Sequence, residues 1–326
     1  MSGSPDLASL ADLLRRSPGM AAKADIADAT LGLGLSGTGP VPVGDDCAAI
    51  PDGEGWQLLA IEGFMNEFVA RDPWFAGWCG VMVNISDVAA MGGRPLAVVD
   101  ALWAAGRAEA GEVLAGMRAA SQRFGVPIVG GHTNLKTDRG QLSVAILGHA
   151  KRLLTSFDAE PGDRLVAAID LRGRYREPFS NWEAATDAPA ERLRGDLDLL
   201  PQIAEGGLAK AAKDISQGGV VGTAAMFAEC SRVAMEIEVD AVPRPAGVAL
   251  ERWLASFPSY GYLLSVKPEN VEAVLALFSG RGIAAAEIGG VSNGSAVRIA
   301  RGGRTELVRD LAHAPLLLPP AVGAAA

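Results

Sequence analysis

The run Trp74–Met91 constrains the fold more than any other stretch of this chain. Pro73 stands at its start, and Gly92-Gly93 with Pro95 behind them close it, the punctuation of a helix with proline in its first turn and a glycine terminator. Within that helix Asn84, Asp87 and Met91 fall at i, i+3 and i+7 and share one face. An amide and a carboxylate on an otherwise apolar, Ala-rich helix must be satisfied by something, because an unpaired buried carboxylate is very costly. The partner is either a ligand or a neighbouring loop that the pair caps.

Around this helix the pattern alternates. Trp56–Ile61 reads as a strand, then the helix, a strand at Ala97–Leu102, a helix at Glu109–Phe124 ended by Gly125, a short strand at Val126–Val129 and another at Leu142–Gly148. Strand, helix, strand, helix, strand, strand is a mixed α/β layer. At 326 residues two domains are expected, with a boundary near residue 151, giving domains 1–150 and 151–326. The second half carries a strand at Arg164–Ile169 and a polar segment, Arg172–Ala190, whose Tyr175, Phe179 and Trp182 could cover a pocket. A helix is expected over Leu199–Lys213, interrupted at Gly206-Gly207, and another over Gly219–Ser231. Met235–Val239, Tyr260–Val266 and Ala296–Ala300 read as strands and Val271–Phe278 as a helix. A short amphipathic helix around Leu7–Leu14 opens the chain; Leu31–Gly39 reads as a Gly-rich loop, and the tail from Leu316 as a frayed end.

The balance of 29 Lys+Arg against 38 Asp+Glu, a formal −9, excludes a protein that grips nucleic acid or anionic lipid through a basic face. An anionic ligand would need metal ions or backbone amides. Three scattered cysteines, Cys47, Cys79 and Cys230, form neither a disulfide framework nor a zinc knuckle, and fit a reducing compartment. No run of about 18 apolar residues suggests a membrane span. Residues 1–20 show no secretory pattern, so a cytoplasmic location is expected.

Three further clusters join Asn84 and Asp87. Gly44-Asp45-Asp46 sets two carboxylates side by side before an apolar run, where they would repel without a cation; it is otherwise a surface turn. Gly130-Gly131-His132-Thr133-Asn134 follows a strand, where glycines let backbone N–H groups form an anion nest. His132 there is a general base, a metal ligand or a hydrogen-bonding loop residue. Asp214-Ile215-Ser216-Gln217-Gly218-Gly219 opens a helix, a ready phosphate site or merely an N-cap.

Together, in this order, the clusters resemble the motifs of a superfamily containing aminoimidazole ribonucleotide (AIR) synthase, thiamine-monophosphate kinase, selenophosphate synthase and a hydrogenase maturation factor. Gly44–Ile50, Asn84–Gly93 and Gly130–Thr133 are similar to its first three motifs, and Lys210–Gly219 to the fourth, so the likeness covers roughly residues 40–300. It implies a two-domain AIR-synthase-like α/β (α+β) fold: an N-terminal domain that pairs with its twin through a β-barrel-like interface, a C-terminal α/β domain, and ATP in the dimeric cleft. It further implies that Asp45, Asp46, Asp87 and Asp214 hold Mg²⁺ on the ATP phosphates, that Gly130, Gly131 and Thr133 line the nucleotide loop, and that Asn84 orients neighbouring ligands. Arg139 stands where the thiamine-phosphate kinases have an arginine, and Ser216 and Gly218 belong to the phosphate-facing helix start. Relatives place an acidic ligand after the strand Leu58–Ile61; counting gives Phe64, and a small gap shift gives Glu62, the one of the two that can bind a cation.

The departures narrow the branch. His132 and Gln217 stand where the kinase branch has acids, Leu31–Gly39 lacks the reactive Cys and Lys of the selenophosphate branch, and the chain ends Gly-Ala-Ala-Ala without the cysteine of the hydrogenase branch. The signatures Glu62–Val69 and Phe257–Gly261 look like those of a separate branch and are expected to shape a substrate pocket. The resemblance implies a homodimeric, Mg²⁺-dependent ATP-using enzyme that phosphorylates or activates a small metabolite, with His132 as a proton acceptor and Asp87 in the catalytic centre. The alternatives are a thiamine-monophosphate kinase-like phosphotransferase and a nucleotide-binding protein without turnover.

Overall fold

The computed structural model describes residues 6–21, 23, 25–35 and 40–317. Among the described residues, α1 (Leu7–Arg15), α2 (Pro18–Ala21) and α3 (Asp25–Gly32) precede the first strand. Asp6 caps α1, its Oδ1 accepting the Ser9 N–H at 3.0 Å. The expected Gly-rich loop is helical at Leu31 and Gly32, and residues 36–39 lie outside the described residues. The chain divides into two units, one of residues 46–153 and 185–205, the other of residues 1–45, 154–184 and 206–326.

The first unit is built on a five-stranded sheet in the order β1-β2-β5-β3-β4. Its strands are β1 (Ala48–Asp52), β2 (Gly55–Phe64), β3 (Arg94–Trp103), β4 (Ile128–Asn134) and β5 (Gln141–Ala150). Helices α4 (Asn66–Arg71), α5 (Pro73–Ala90), α6 (Arg107–Phe124), α7 (Ala190–Leu197) and α8 (Leu199–Glu205) complete it. Asp72 caps α5 by accepting the Phe75 N–H at 3.2 Å, Pro73 opens the helix, and Gly92 follows it at φ +72°. The expected strand and helix alternation holds.

Small residues bring α5 close to both of its neighbours. A Cβ at Gly116 of α6 would sit 1.8 Å from the Trp74 carbonyl oxygen, and one at Gly77 of α5 would sit 2.0 Å from that of Val113. On the sheet side, a Cβ at Gly80 would lie 2.8 Å from Val144 Cγ2. The other face of this sheet carries apolar side chains in register: Leu59 beside Leu147, and Ile61 and Val99 on either side of Ala145.

The second unit has a seven-stranded sheet, β15-β14-β10-β13-β6-β12-β9, and a three-stranded sheet, β11-β8-β7. The strands are β6 (Arg164–Ile169), β7 (Arg174–Tyr175), β8 (Asn181–Glu183), β9 (Ala211–Asp214), β10 (Ala234–Glu238), β11 (Phe257–Pro258), β12 (Gly261–Val266), β13 (Ala284–Ser292), β14 (Ala296–Arg301) and β15 (Arg304–Asp310). Helices α9 (Gly219–Ser231), α10 (Leu250–Leu254) and α11 (Val271–Ser279) complete it. One apolar cluster joins α1 and α9 to the sheet through Leu10, Leu14, Val221, Phe227, Leu263 and Ile299.

Three readings are corrected. Residues 130–134 do not leave the sheet as a loop: β4 continues to Asn134 because it pairs in parallel with β3, Asp100 opposite Gly131 and Leu102 opposite Thr133. Successive N–H groups of a strand point in opposite directions, so they do not converge as a nest. The helix expected to reach Lys213 stops at Glu205, where Gly207 adopts φ +66°, and the short apolar run after it pairs with β12 as β9. Leu316 and Leu317 are buried, their N–H groups held by the buried Glu229 carboxylate of α9.

Gly116→Ala forces α5 and α6 apart and is expected to cost about 1–3 kcal/mol. Urea unfolding measures this, and an unchanged midpoint contradicts the close crossing.

Candidate functional site

In the first unit a single row of side chains crosses the sheet on the side that α5 covers. Glu62 of β2 is opposite Val144 of β5, Val144 is opposite Asp100 of β3, and Asp100 is opposite Gly131 of β4. Because β2 runs to Phe64, Glu62 lies inside the strand, two positions beyond Ala60 on the same face. Above the row, α5 crosses Val144 at Gly80, and one turn on Asn84 donates its amide to the Gly80 carbonyl at 2.8 Å. Asn84 is wholly buried, and its Oδ1 has no hydrogen-bond partner. Asp87, also buried, follows on the same stripe of the helix.

Asp100 was not singled out in the sequence, where it is a lone acid in an apolar strand. Its Oδ2 is buried without a hydrogen-bond partner, and burial pushes its carboxyl above the usual range. A Cβ at Gly131 would fall 2.3 Å from Asp100 Oδ1, so the glycine makes room for this carboxylate. Thr133 shares the face of Gly131, whereas Gly130 and His132 share the open apolar face. There the His132 ring lies 6.0 Å from that of Trp103. Arg139 is exposed on the connection between β4 and β5, and Asp46 is half-buried just before β1.

In the second unit, β9 sends Lys213 and Asp214 to opposite faces of the sheet. Asp214 is buried opposite Tyr262, and Lys213 is opposite Leu263, which belongs to the cluster packed under α9. Asp45 is held by Ser156, which gives Oδ2 its N–H at 2.8 Å and Oδ1 its hydroxyl at 2.6 Å. The Ser156 carbonyl in turn accepts from Ser231 at the end of α9. Ser216 and Gly218 precede the start of that helix. The Ser216 N–H donates to Thr223 Oγ1 at 3.3 Å, and its own Oγ is buried without a hydrogen-bond partner.

These donors suit a hard cation. Asn84 Oδ1 and Asp100 Oδ2 are buried oxygen acceptors without a donor, and carboxylates accompany them. Among the described residues no three His, Cys, Asp or Glu side chains are gathered as a metal cage. Mg²⁺ needs none, since it keeps waters and binds through one or two carboxylates and substrate phosphates.

Comparison with known proteins places these residues in a family context. Residues 44–150 match the family model for the N-terminal domain of AIR synthase related protein, and residues 173–301 match that for its C-terminal domain. The uncharacterised protein sll0787 of Synechocystis sp. is 50% identical over 85% of this chain and 86% of its own length. The thiamine-monophosphate kinase of Pyrococcus abyssi is 29% identical over 81% of this chain and 87% of its own. Thermotoga maritima PurL, solved in complex with ATP, shares the fold with a TM-score of 0.69 at 19% identity over 84% of this chain. The present chain spans 46% of that protein, about half its length.

The raised Asp100 pKa has a measurable consequence. Folding takes up a proton between the unfolded-state value and the higher folded-state value, so stability falls as pH rises through that window. Asp100→Asn is expected to match the parent below the window and to exceed it in stability at pH 7. Urea titrations from pH 4 to 7 test this, and parallel pH profiles contradict it.

Proposed function

The chain belongs to the AIR synthase related family, and from that footing we propose that it is a Mg²⁺-dependent enzyme that uses ATP to phosphorylate or activate a small metabolite. The observation that carries this reading is the pair of donorless buried oxygens, Asn84 Oδ1 and Asp100 Oδ2, on the α5 side of the first unit. A Mg²⁺ held there would supply charge neutralisation to the phosphates.

In the first unit Asn84 and Asp100 would present oxygens to the cation, and Glu62, Asp87 and Asp46 are the carboxylates from which a further charged ligand would come. In the second unit Asp45 and Asp214 are the carboxylate donors. The Ser216 hydroxyl and the N–H groups from Gly218 onward face phosphate at the start of α9. Gly130, Gly131, Thr133 and Arg139 line the nucleotide. Little covalent chemistry falls to the protein, so positioning and charge neutralisation dominate. His132 projects from the opposite, open face of the sheet, away from the Asn84 and Asp100 oxygens, so within one unit it is not the proton acceptor for a nucleophile at their cation.

A second copy of the chain covers that open face. Leu59, Ile61, Val99 and Leu147 are each at least 40% exposed, and the rows they form with Ala97 and Ala145 contain no charge. An uncharged sheet face of this kind suits the self-complementary contact of a two-fold dimer. Ile61→Glu is expected to convert a dimer to a monomer in sedimentation, and a wild-type monomer contradicts the assembly.

The catalytic reading is tested by following ADP release during a screen of small phosphate-accepting metabolites, with Asp87→Ala as control. At least one acceptor should stimulate ADP release by the parent, and the variant should lose about 100-fold or more, as expected when a preorganised electrostatic contact is removed. Nucleotide binding with no turnover on any acceptor favours the binding-protein alternative. Thiamine monophosphate belongs in the screen because of the 29% identity to the Pyrococcus abyssi kinase. Formation of the diphosphate would assign the chain to that activity.

A further inference from the structure

Lys213 has no role in the proposed function, yet it is a buried cation. Lys213 is only 4% exposed, on the face of β9 that meets α9. An ammonium taken out of water costs several kcal/mol unless it is hydrogen-bonded and paired. Its Nζ lies 3.4 Å from the Oγ of Ser156, a residue with no exposed surface.

The direction of this contact follows from a proton count. A serine hydroxyl has one proton to give, and the Ser156 hydroxyl is 2.6 Å from Asp45 Oδ1, a carboxylate that can only accept. Toward Lys213 the same oxygen is therefore the acceptor. Donation runs from the Lys213 ammonium to the Ser156 hydroxyl and on to the Asp45 carboxylate, a charge-assisted chain with a cation at one end and an anion at the other.

The frame around the chain is fixed. The Ser156 carbonyl accepts from Ser231 Oγ at 2.7 Å, and Ser231 Oγ accepts the Ala159 N–H at 3.1 Å. The Cys230 thiol approaches the Gly44 carbonyl at 3.6 Å, so the residue before Asp45 is docked on the same helix end. With the Ser156 N–H on Oδ2 as well, the Asp45 carboxylate is held by Ser156 at both oxygens.

We propose that Lys213 is a positioning residue for the nucleotide-bound cation: acting through Ser156, it sets the orientation of Asp45 and supplies part of its countercharge before any cation arrives. This rests on the proposed reading in which Asp45 is a Mg²⁺ ligand. It adds that a protein cation, rather than Mg²⁺ alone, makes the carboxylate ready to bind. It also gives β9 two roles, with Asp214 on one face and the orienter of Asp45 on the other.

Calorimetry of ATP binding across a series of Mg²⁺ concentrations tests this with Lys213→Met, Lys213→Arg and Ser156→Ala, alongside melting of each variant without nucleotide. At limiting Mg²⁺, Lys213→Met and Ser156→Ala should each weaken ATP binding about tenfold, as loss of one charge-assisted hydrogen bond implies. Both should need more Mg²⁺ to saturate, and Lys213→Arg should recover most of the loss. If Lys213→Met does not fold, Ser156→Ala and Lys213→Arg carry the test. A lowered melting temperature with unchanged Mg²⁺ dependence overturns the proposal by making the chain purely structural. Failure of the wild type to bind ATP with Mg²⁺ overturns the functional reading itself, and so is distinguishable from failure of the variants to differ.

Discussion

The close seating of α5 between α6 and the five-stranded sheet is the constraint on which the first unit depends. Gly77 and Gly116 admit the backbone of one helix to the surface of the other, and Gly80 admits α5 to the sheet above Val144. Almost every residue of α5 is buried as a result, including Asn84 and Asp87. A buried helix of this kind gains stability from its apolar residues and loses it at each unsatisfied polar atom. The donorless Asn84 oxygen is thus a local cost retained in a well-packed element, and it faces the sheet that also carries the donorless Asp100 oxygen. Polar strain concentrated in this way, in the stretch matched by the AIR synthase related family, is the physical basis of the proposed function.

The second unit treats its acids differently. Asp45 is clasped by Ser156 and tied to the end of α9, and Glu229 anchors the N–H groups of Leu316 and Leu317. Carboxylates engaged by donors are oriented by them, as Asp45 is by Ser156, whereas the oxygens left without donors carry an uncompensated desolvation cost. The formal charge of −9 takes on meaning from this distinction. Some of the acidic excess is used internally, and the proposed metal cation would reconcile the remainder with a triphosphate.

Much of the architecture was readable in the residues. Pro73 and Gly92-Gly93 bounded α5 to within a residue, and Gly125 ended α6, because helix termini have local stereochemical requirements. The strand at Arg164–Ile169 and helix α9 were placed with their observed limits for similar reasons. What could not be read was set by pairing across the sheet. Gly130–Asn134 has the composition of a loop and becomes a strand only because β3 lies beside it. Ala211–Lys213 continues a helical pattern and becomes a strand only through β12. Asp100 and Ser156 carry no motif at all; their importance comes from Gly131 and Asp45, residues distant in sequence that fold against them. Of the candidate site, Asn84 and Asp87 were legible because helical spacing is local. The row joining Glu62 to Asp100 was not, because register is a property of the whole sheet.

The central claim is that the buried oxygens of this fold exist to receive a cation together with a nucleotide. Calorimetric titration of ATP into the wild-type chain, once with Mg²⁺ and once with a chelator, tests it most directly. The account predicts saturable binding that requires Mg²⁺ and becomes at least tenfold weaker in the chelator, a difference of about 1.4 kcal/mol or more. Equal affinity under both conditions, or no binding under either, would contradict it.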